Sequence, residues 1–272
     1  MKNIVLIRHG ESLGQTARRR GQSRSDPRLV DCFLSSKGIQ EASQLRSNGI
    51  LNQYDFDLVC TSPLSRALLT CILALGHIIE DELLLEEKHQ SEVLTFTSTP
   101  VPSITPTRTT RTPFIARADI CEIGKGIPEN QGRPLGPLVK DLKKKLSIVS
   151  SSAKCMDHID FSMLPTSWPE IEDTSSGRKH GVASFLAWLT SRPEENVAIV
   201  CHYNVIKWML QNAIDRVPNC TPIECILTDE GELLLKSDLM IQKRTKMQRQ
   251  QLIDGKLVGK GRHGKQLHRQ KR

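Results

Sequence analysis

The sequence lacks any apolar run of the roughly 18–20 residues that crossing a bilayer requires. Its longest candidate, Leu68–Ile79, is interrupted by His77, which excludes a transmembrane protein. C-x-x-C spacing is also missing. The eight cysteines (Cys32, Cys60, Cys71, Cys121, Cys155, Cys201, Cys220 and Cys225) are dispersed along the chain. That pattern supports neither a zinc site nor a disulfide framework. Cys60, Cys121 and Cys201 lie in or beside apolar runs, where cysteine acts as a small hydrophobe. The first strand-like run begins at Asn3, leaving no room for a secretory leader ahead of it. A reducing, cytoplasmic location is the expectation.

Aromatic residues make up only 4% of the 272 residues, and none lies between Lys243 and Arg272. That last segment holds eleven Lys and Arg against one acid, Asp254. The formal net charge of +8 is therefore a property of the tail, since Met1–Gln242 carries 27 basic and 29 acidic groups. The tail reads as a solvated, disordered extension. Its charge suits a nonspecific anionic partner and also admits a nuclear location. Without aromatics, contact with nucleic acid would be sequence-blind and salt-sensitive.

Strand-like and helix-like stretches alternate through the rest. Asn3–Arg8 and Asn196–Cys201 are short apolar runs that read as buried strands, and Asp57–Cys60 reads as another. Gly10–Cys32 is polar and rich in Gly, Arg and Ser, and reads as a long loop. The spacing of Ile39, Ala42 and Leu45 predicts a helix from Ser36 to Asn48 with Gly49 as its stop. Pro63 opens a helix through Leu75 that Gly76 closes. Further helices are expected at Leu138–Ile148, Ser175–Ser191 and Asn204–Ala213. A hairpin pairs Glu224–Thr228 with Glu232–Lys236 about the turn Asp229-Glu230-Gly231. Fifteen of the 23 residues from Ser91 to Pro113 are Ser, Thr or Pro, too few apolar groups to offset the entropy of ordering them. The alternation predicts an α/β class, a three-layer α/β/α sandwich with a mostly parallel central sheet. Ligands of such folds bind outside the carboxyl ends of the strands.

Both buried strands run into a histidine at that end, Arg8-His9-Gly10-Glu11-Ser12 in one case and Cys201-His202-Tyr203 in the other. The strand at Asp57–Cys60 leads into Thr61-Ser62-Pro63-Leu64-Ser65-Arg66-Ala67, which sets Arg66 in the first turn of a helix at the same rim. Two arginines, two histidines and a helix N-terminus converging there suit a multiply charged oxyanion, above all a phosphoryl group.

Leu6-Ile7-Arg8-His9-Gly10-Glu11-Ser12 resembles the opening signature of the histidine phosphatase superfamily, the phosphoglycerate mutase-like proteins. The resemblance continues through Ser36–Leu45 with Gly38 and Gln40, through Thr61–Ala67, and through Val197–His202. It covers roughly Met1–Glu86 and Phe114–Lys236. It implies a phosphoglycerate mutase-like fold and one catalytic domain over residues 1–236. A disordered insertion at about 87–113 interrupts that domain, and a basic disordered tail at 237–272 follows it.

The resemblance also implies catalysis through a phosphohistidine. His9 would attack phosphorus as a neutral imidazole, its other nitrogen held by a backbone carbonyl. Arg8, Arg66 and His202 would bind the non-bridging oxygens, so that no metal and no cofactor is required. A glutamate supplies the leaving oxygen with a proton, and Glu122, in Ala118-Asp119-Ile120-Cys121-Glu122-Ile123-Gly124, matches best; Glu129 and Asp119 are its rivals. Gln15 stands where the family often has a substrate-binding Asn, and Tyr203 where it often has a small residue that leaves the pocket wider. Arg18-Arg19-Arg20 reads as a solvated loop cluster that could also meet the distal part of an anionic substrate.

The expected activity is metal-independent hydrolysis of small phosphate monoesters. A phosphoglycerate mutase is the alternative within the fold. Cys121-Glu122-Ile123-Gly124-Lys125 replaces the Asn-Glu-Arg-His-Tyr-Gly context typical of mutases, which favours hydrolysis. A non-catalytic phosphate-group binder is the alternative from another class. A pocket meant only to bind has no need of a nucleophile.

Overall fold

The computed structural model describes residues 1–23, 25–95, 111–124, 126–170 and 175–238. Among them runs one sheet of 7 strands in the order β4-β3-β2-β5-β1-β6-β7. Its strands are β1 (Lys2–Arg8), β2 (Leu58–Thr61), β3 (Phe114–Ala116), β4 (Ile159–Asp160), β5 (Asn196–Cys201), β6 (Pro222–Leu227) and β7 (Leu233–Leu235). Strands β1 to β5 are mutually parallel. β6 closes the sheet antiparallel to β1, and β7 pairs antiparallel with β6. The expected class, an α/β sandwich on a mostly parallel sheet, is the one observed.

Side-chain alternation along the strands divides the interior in two. Val5 and Ile7 of β1, Val59 of β2 and Ala198 and Val200 of β5 face one core. There they meet α2 (Ser36–Ser47), α3 (Ser65–Thr95) and α4 (Leu135–Val149). Ile4, Leu6, Leu58, Cys60, Val197 and Ile199 face the other, beneath α5 (Ser175–Ser191) and α6 (Tyr203–Met209). A strand buried on both faces has no polar side to alternate with, and so reads as a continuous apolar run.

Three elements depart from the sequence expectation. The stretch Gly10–Cys32 is not wholly loop, because Leu13–Arg19 forms a helix, α1. Ser12 caps it by accepting from Gln15 N, while Gln15 Oε1 accepts from Ser12 N, a reciprocal capping box. Gly76 does not close its helix, since α3 continues to Thr95. A helical glycine costs about 1 kcal/mol, but Ile78, Ile79 and Leu83 carry the apolar face onward into the same core, and tertiary burial outweighs the local signal. Strand β4 is only two residues long at the sheet edge, too short to leave a periodic pattern. Of the expected insertion at about 87–113, residues 87–95 fall within α3 and 111–113 lead into β3, while 96–110 lie outside the described residues. The expected tail lies outside them from residue 239 onward. No described helix is long and apolar enough to cross a membrane.

The loop leaving β1 is clamped against α2 by two facing glycines. A Cβ on Gly10 would fall 2.5 Å from the Gly38 carbonyl oxygen, and one on Gly38 would fall 2.0 Å from that of Glu11. Both obstructing atoms are backbone and cannot swing aside. Gly38→Ala is expected to destabilise the protein by about 1–3 kcal/mol, the usual cost of overpacking. Urea unfolding checks this through a lowered midpoint at unchanged slope.

Candidate active site

Register brings the two histidines together. β1 pairs with β5 so that Arg8 lies opposite Cys201, and the ladder runs one step further with His9 N donating to the Cys201 carbonyl at 3.0 Å. His9 and His202 therefore emerge side by side, their ring centroids 5.1 Å apart. On the other flank of β5, Ser62 N donates to the Val200 carbonyl at 3.0 Å. That contact carries the chain from β2 into α3 at the same rim, with Arg66 in the first turn of the helix.

His9 is buried. Its Nδ1 lies 2.7 Å from the Gly10 carbonyl oxygen, and a carbonyl only accepts, so Nδ1 carries the proton. Nε2 is left with its lone pair, which accepts from Arg66 Nε at 3.3 Å. Burial first, and then the charges of Arg66 and Arg8, hold the imidazole pKa well below the ordinary 6.5. The result is a neutral ring of fixed tautomer.

Two guanidiniums flank the ring. Arg66 is buried. It donates through Nη1 to the Glu129 carbonyl and through Nη2 to Asn130 Oδ1 at 3.0 Å. Arg8 donates through Nη1 to the Val217 carbonyl at 2.7 Å. Its Nε is buried with no hydrogen-bond partner among the described residues. Tyr203, expected to reshape the pocket, stands in its wall and places its ring 5.2 Å from the Arg8 guanidinium. His202 is fully buried, with Nε2 2.8 Å from Ser62 Oγ.

His9, Arg8, Arg66 and Tyr203 line a cavity of about 140 Å³, and His202 lies behind its lining. Of the carboxylates weighed from the sequence, Glu122 and Glu129 line it, whereas Asp119 is turned to Arg117, 2.5 Å away. Among the described residues Glu122 is held by backbone donors, Ile123 N at 2.9 Å and Asn204 N at 3.5 Å. Glu129 is ion-paired with Arg18. Gln15 also reaches the cavity, its amide shared with Asn219 at 3.4 Å. Asn219 in turn donates to the His9 carbonyl at 2.5 Å.

Arg18 and Asn130 line the cavity too; the sequence reading offers Arg18 only within a solvated loop cluster that could also meet the distal part of an anionic substrate, and does not single out Asn130. A helical reading of Leu13–Arg19 would have aligned Gln15 with Arg18 on one face, three residues apart. Asn130 left no local signal.

Behind the rim, buried Asp31 secures the start of α3. It accepts from Ser65 N at 2.7 Å, from Ser65 Oγ at 2.6 Å and from Arg133 Nε at 3.1 Å. Glu11, also buried, accepts from Arg19, Ser35 and Thr16. The Arg19 contact above all holds its carboxyl down at about 2. It ties α1 to α2 and stands apart from the cavity chemistry.

The tautomer and charge of His9 can be read directly by nitrogen-15 NMR. The expected spectrum is that of a neutral ring protonated on Nδ1, unchanged as pH falls from 8 through the ordinary value of 6.5. Titration at 6.5 would contradict the geometry.

Comparison with known proteins adds the following. Residues 4–92 match the family model of the histidine phosphatase superfamily (branch 1). Among solved structures, the α-ribazole phosphatase from Shigella flexneri is 20% identical, with 86% of this chain and 94% of that chain covered and a TM-score of 0.43. A phosphoserine phosphatase from Entamoeba histolytica, in complex with 3-phosphoglyceric acid, is 19% identical over 87% of this chain and 95% of that one, with a TM-score of 0.40. A mycobacterial glucosyl-3-phosphoglycerate phosphatase is 14% identical over 87% and 98%, with a TM-score of 0.44. The matched segment, residues 4–92, carries Arg8, His9 and Arg66.

Proposed function

We propose that the protein hydrolyses phosphate monoesters through a phosphohistidine at His9. The observation that carries this reading is the orientation of that ring. Nδ1–H is held by the Gly10 carbonyl, and the Nε2 lone pair is directed at Arg66 inside a cavity that Arg8 also lines. In the first step Nε2 attacks phosphorus, the N–P bond forms and the bond to the ester oxygen breaks. Glu122, in its protonated form, gives the departing oxygen its proton. In the second step the Glu122 carboxylate takes a proton from water, the resulting hydroxide equivalent attacks phosphorus, and the N–P bond breaks to release phosphate.

Arg8, Arg66 and His202 hold the non-bridging oxygens throughout and stabilise the charge spreading onto them. The buried, unsatisfied Arg8 Nε fits that task, because such a donor is costly unless an acceptor reaches it. Two permanently charged guanidiniums supply the electrostatics without metal. Glu122 fits the proton role better than Glu129. The Glu129 carboxylate is already engaged by Arg18, whereas Glu122 lines the cavity without a cationic side-chain partner among the described residues.

A panel of phosphate esters assayed in the presence of a chelator tests the reading. Turnover is expected in wild type and none in His9→Ala. Glu122→Gln is expected to slow phosphorylation of His9 by alkyl phosphates by about 10²–10⁴-fold, and the first-turnover release of p-nitrophenol from p-nitrophenyl phosphate far less, since that leaving group departs without a proton. Full activity in His9→Ala would refute the mechanism. Interconversion of phosphoglycerates in place of hydrolysis would identify a mutase, and absence of any turnover would point to a binder.

A further inference from the structure

Glu122 stands at the end of a short path that begins on the sheet. Arg117 follows β3, and its N–H donates to the Thr61 carbonyl at 2.9 Å, which extends the pairing of β2 with β3 by one residue. Beyond it the chain makes a single 3₁₀ turn, Ala118–Ile120, in which Cys121 N donates to the Ala118 carbonyl at 3.1 Å. Cys121 is buried, and Glu122 then reaches the cavity. Only this turn lies between the sheet and the carboxyl.

The turn is held by an ion pair that the mechanism above does not use. Arg117 is buried and grips Asp119 with two arms of its fork, Nε to Oδ1 at 3.1 Å and Nη2 to Oδ2 at 2.5 Å. Its Nη1 is buried with no hydrogen-bond partner among the described residues. What meets the guanidinium there is aromatic. Its carbon lies 4.2 Å from the ring centre of Trp188 and 5.8 Å from that of Phe185, both on α5, and such ring faces attract a cation. Gly181 lets α5 come this close, since a Cβ there would lie 3.4 Å from the Asp119 Cβ. Ile120 of the same turn packs into the core beneath α5. A buried ion pair adds little stability over apolar side chains of similar volume. A bidentate one adds geometric specificity, here across the residues that lead into Glu122.

We propose that Arg117, paired with Asp119 and seated on Trp188, is a positioning residue for Glu122. The inference rests on the reading of Glu122 as the proton donor. Proton transfer requires that carboxyl within hydrogen-bond reach of the leaving oxygen. One of its two backbone holds, Ile123 N, belongs to the adjoining residue, so its aim follows the path of the turn. Arg8, Arg66 and His202 are carried by β1, α3 and the end of β5. Releasing the pair therefore weakens protonation of the leaving group and leaves the phosphoryl cradle in place.

Single-turnover phosphorylation of His9 by propyl phosphate and by p-nitrophenyl phosphate tests this. Arg117→Met keeps the apolar bulk against Trp188 and deletes the pair. It is expected to slow the propyl ester by about tenfold or more, within the roughly 10²-fold that a 1 Å misplacement costs, and the first-turnover release of p-nitrophenol far less. In a Glu122→Gln background the same substitution is expected to add nothing with the propyl ester, because the group it positions is gone. Trp188 is half-buried, so variants there carry the test should Arg117→Met fail to fold. Trp188→Leu is expected to give the same selective loss in weaker form, and Trp188→Phe, which keeps an aromatic face, to stay near wild type. A loss equal for the two esters, or one that adds in full to that of Glu122→Gln, overturns the positioning role, while a selective loss in Glu122→Gln alone upholds the proton donor. Equal slowing of both esters by Glu122→Gln overturns the donor and the inference with it.

Discussion

Parallel pairing of β1 with β5, in the register that sets Arg8 opposite Cys201, forces the two following histidines to leave the sheet as neighbours. Every other feature of the rim is arranged around that pair. The strand interior leaves no room for slippage, because a shift of one residue would exchange Val5 and Ile7 with Ile4 and Leu6 between two filled cores. The facing glycines, Gly10 and Gly38, then let α2 press against the exit loop. They hold the Gly10 carbonyl where it accepts a hydrogen bond from His9 Nδ1. Sheet register and a close backbone contact thus set the state of one imidazole.

The charges near that ring are managed by different means at different depths. Arg66 is buried, with one donor on each nitrogen engaged, by His9, the Glu129 carbonyl and Asn130, and two N–H groups left over. Its orientation costs no further ordering when an anion arrives. Asp31 lies behind it, where burial pushes its carboxyl pKa up against the pull of Ser65 and Arg133. Glu11, nearer the surface with Arg19 against it, is pushed the other way, to about 2. The buried acids organise the backbone of α1, α2 and α3, and the cations are what the cavity and its mouth expose. A chain whose body is slightly acidic in sum can in this way offer an anion a positive face.

The legible parts of the sequence were those in which local pattern and tertiary environment agree. Asn3–Arg8 and Asn196–Cys201 are apolar because both faces are covered, and α5 spans Ser175–Ser191 as its Val182, Phe185 and Leu189 face implied. Sites at strand ends follow from topology, so the meeting of His9, His202 and Arg66 could be anticipated without coordinates. Helix α1 was hidden because Gly14 and three consecutive arginines mask a seven-residue helix whose strength lies in its capping box. The length of α3 was hidden because Gly76 looks like a stop until the apolar face beyond it is seen to be buried. Asn130 was hidden because its role, accepting from Arg66 Nη2, joins residues 64 apart in sequence, a relation no local pattern records.

The central claim is that the backbone carbonyl of Gly10 selects which nitrogen of His9 reacts. Rapid quenching into alkaline denaturant during turnover of a labelled ester, followed by peptide mapping and phosphorus-31 NMR, measures this directly. Nδ1 is engaged at 2.7 Å, so the account predicts phosphate on Nε2 of His9. Phosphate on Nδ1, or a phosphorylated residue other than His9, would contradict it.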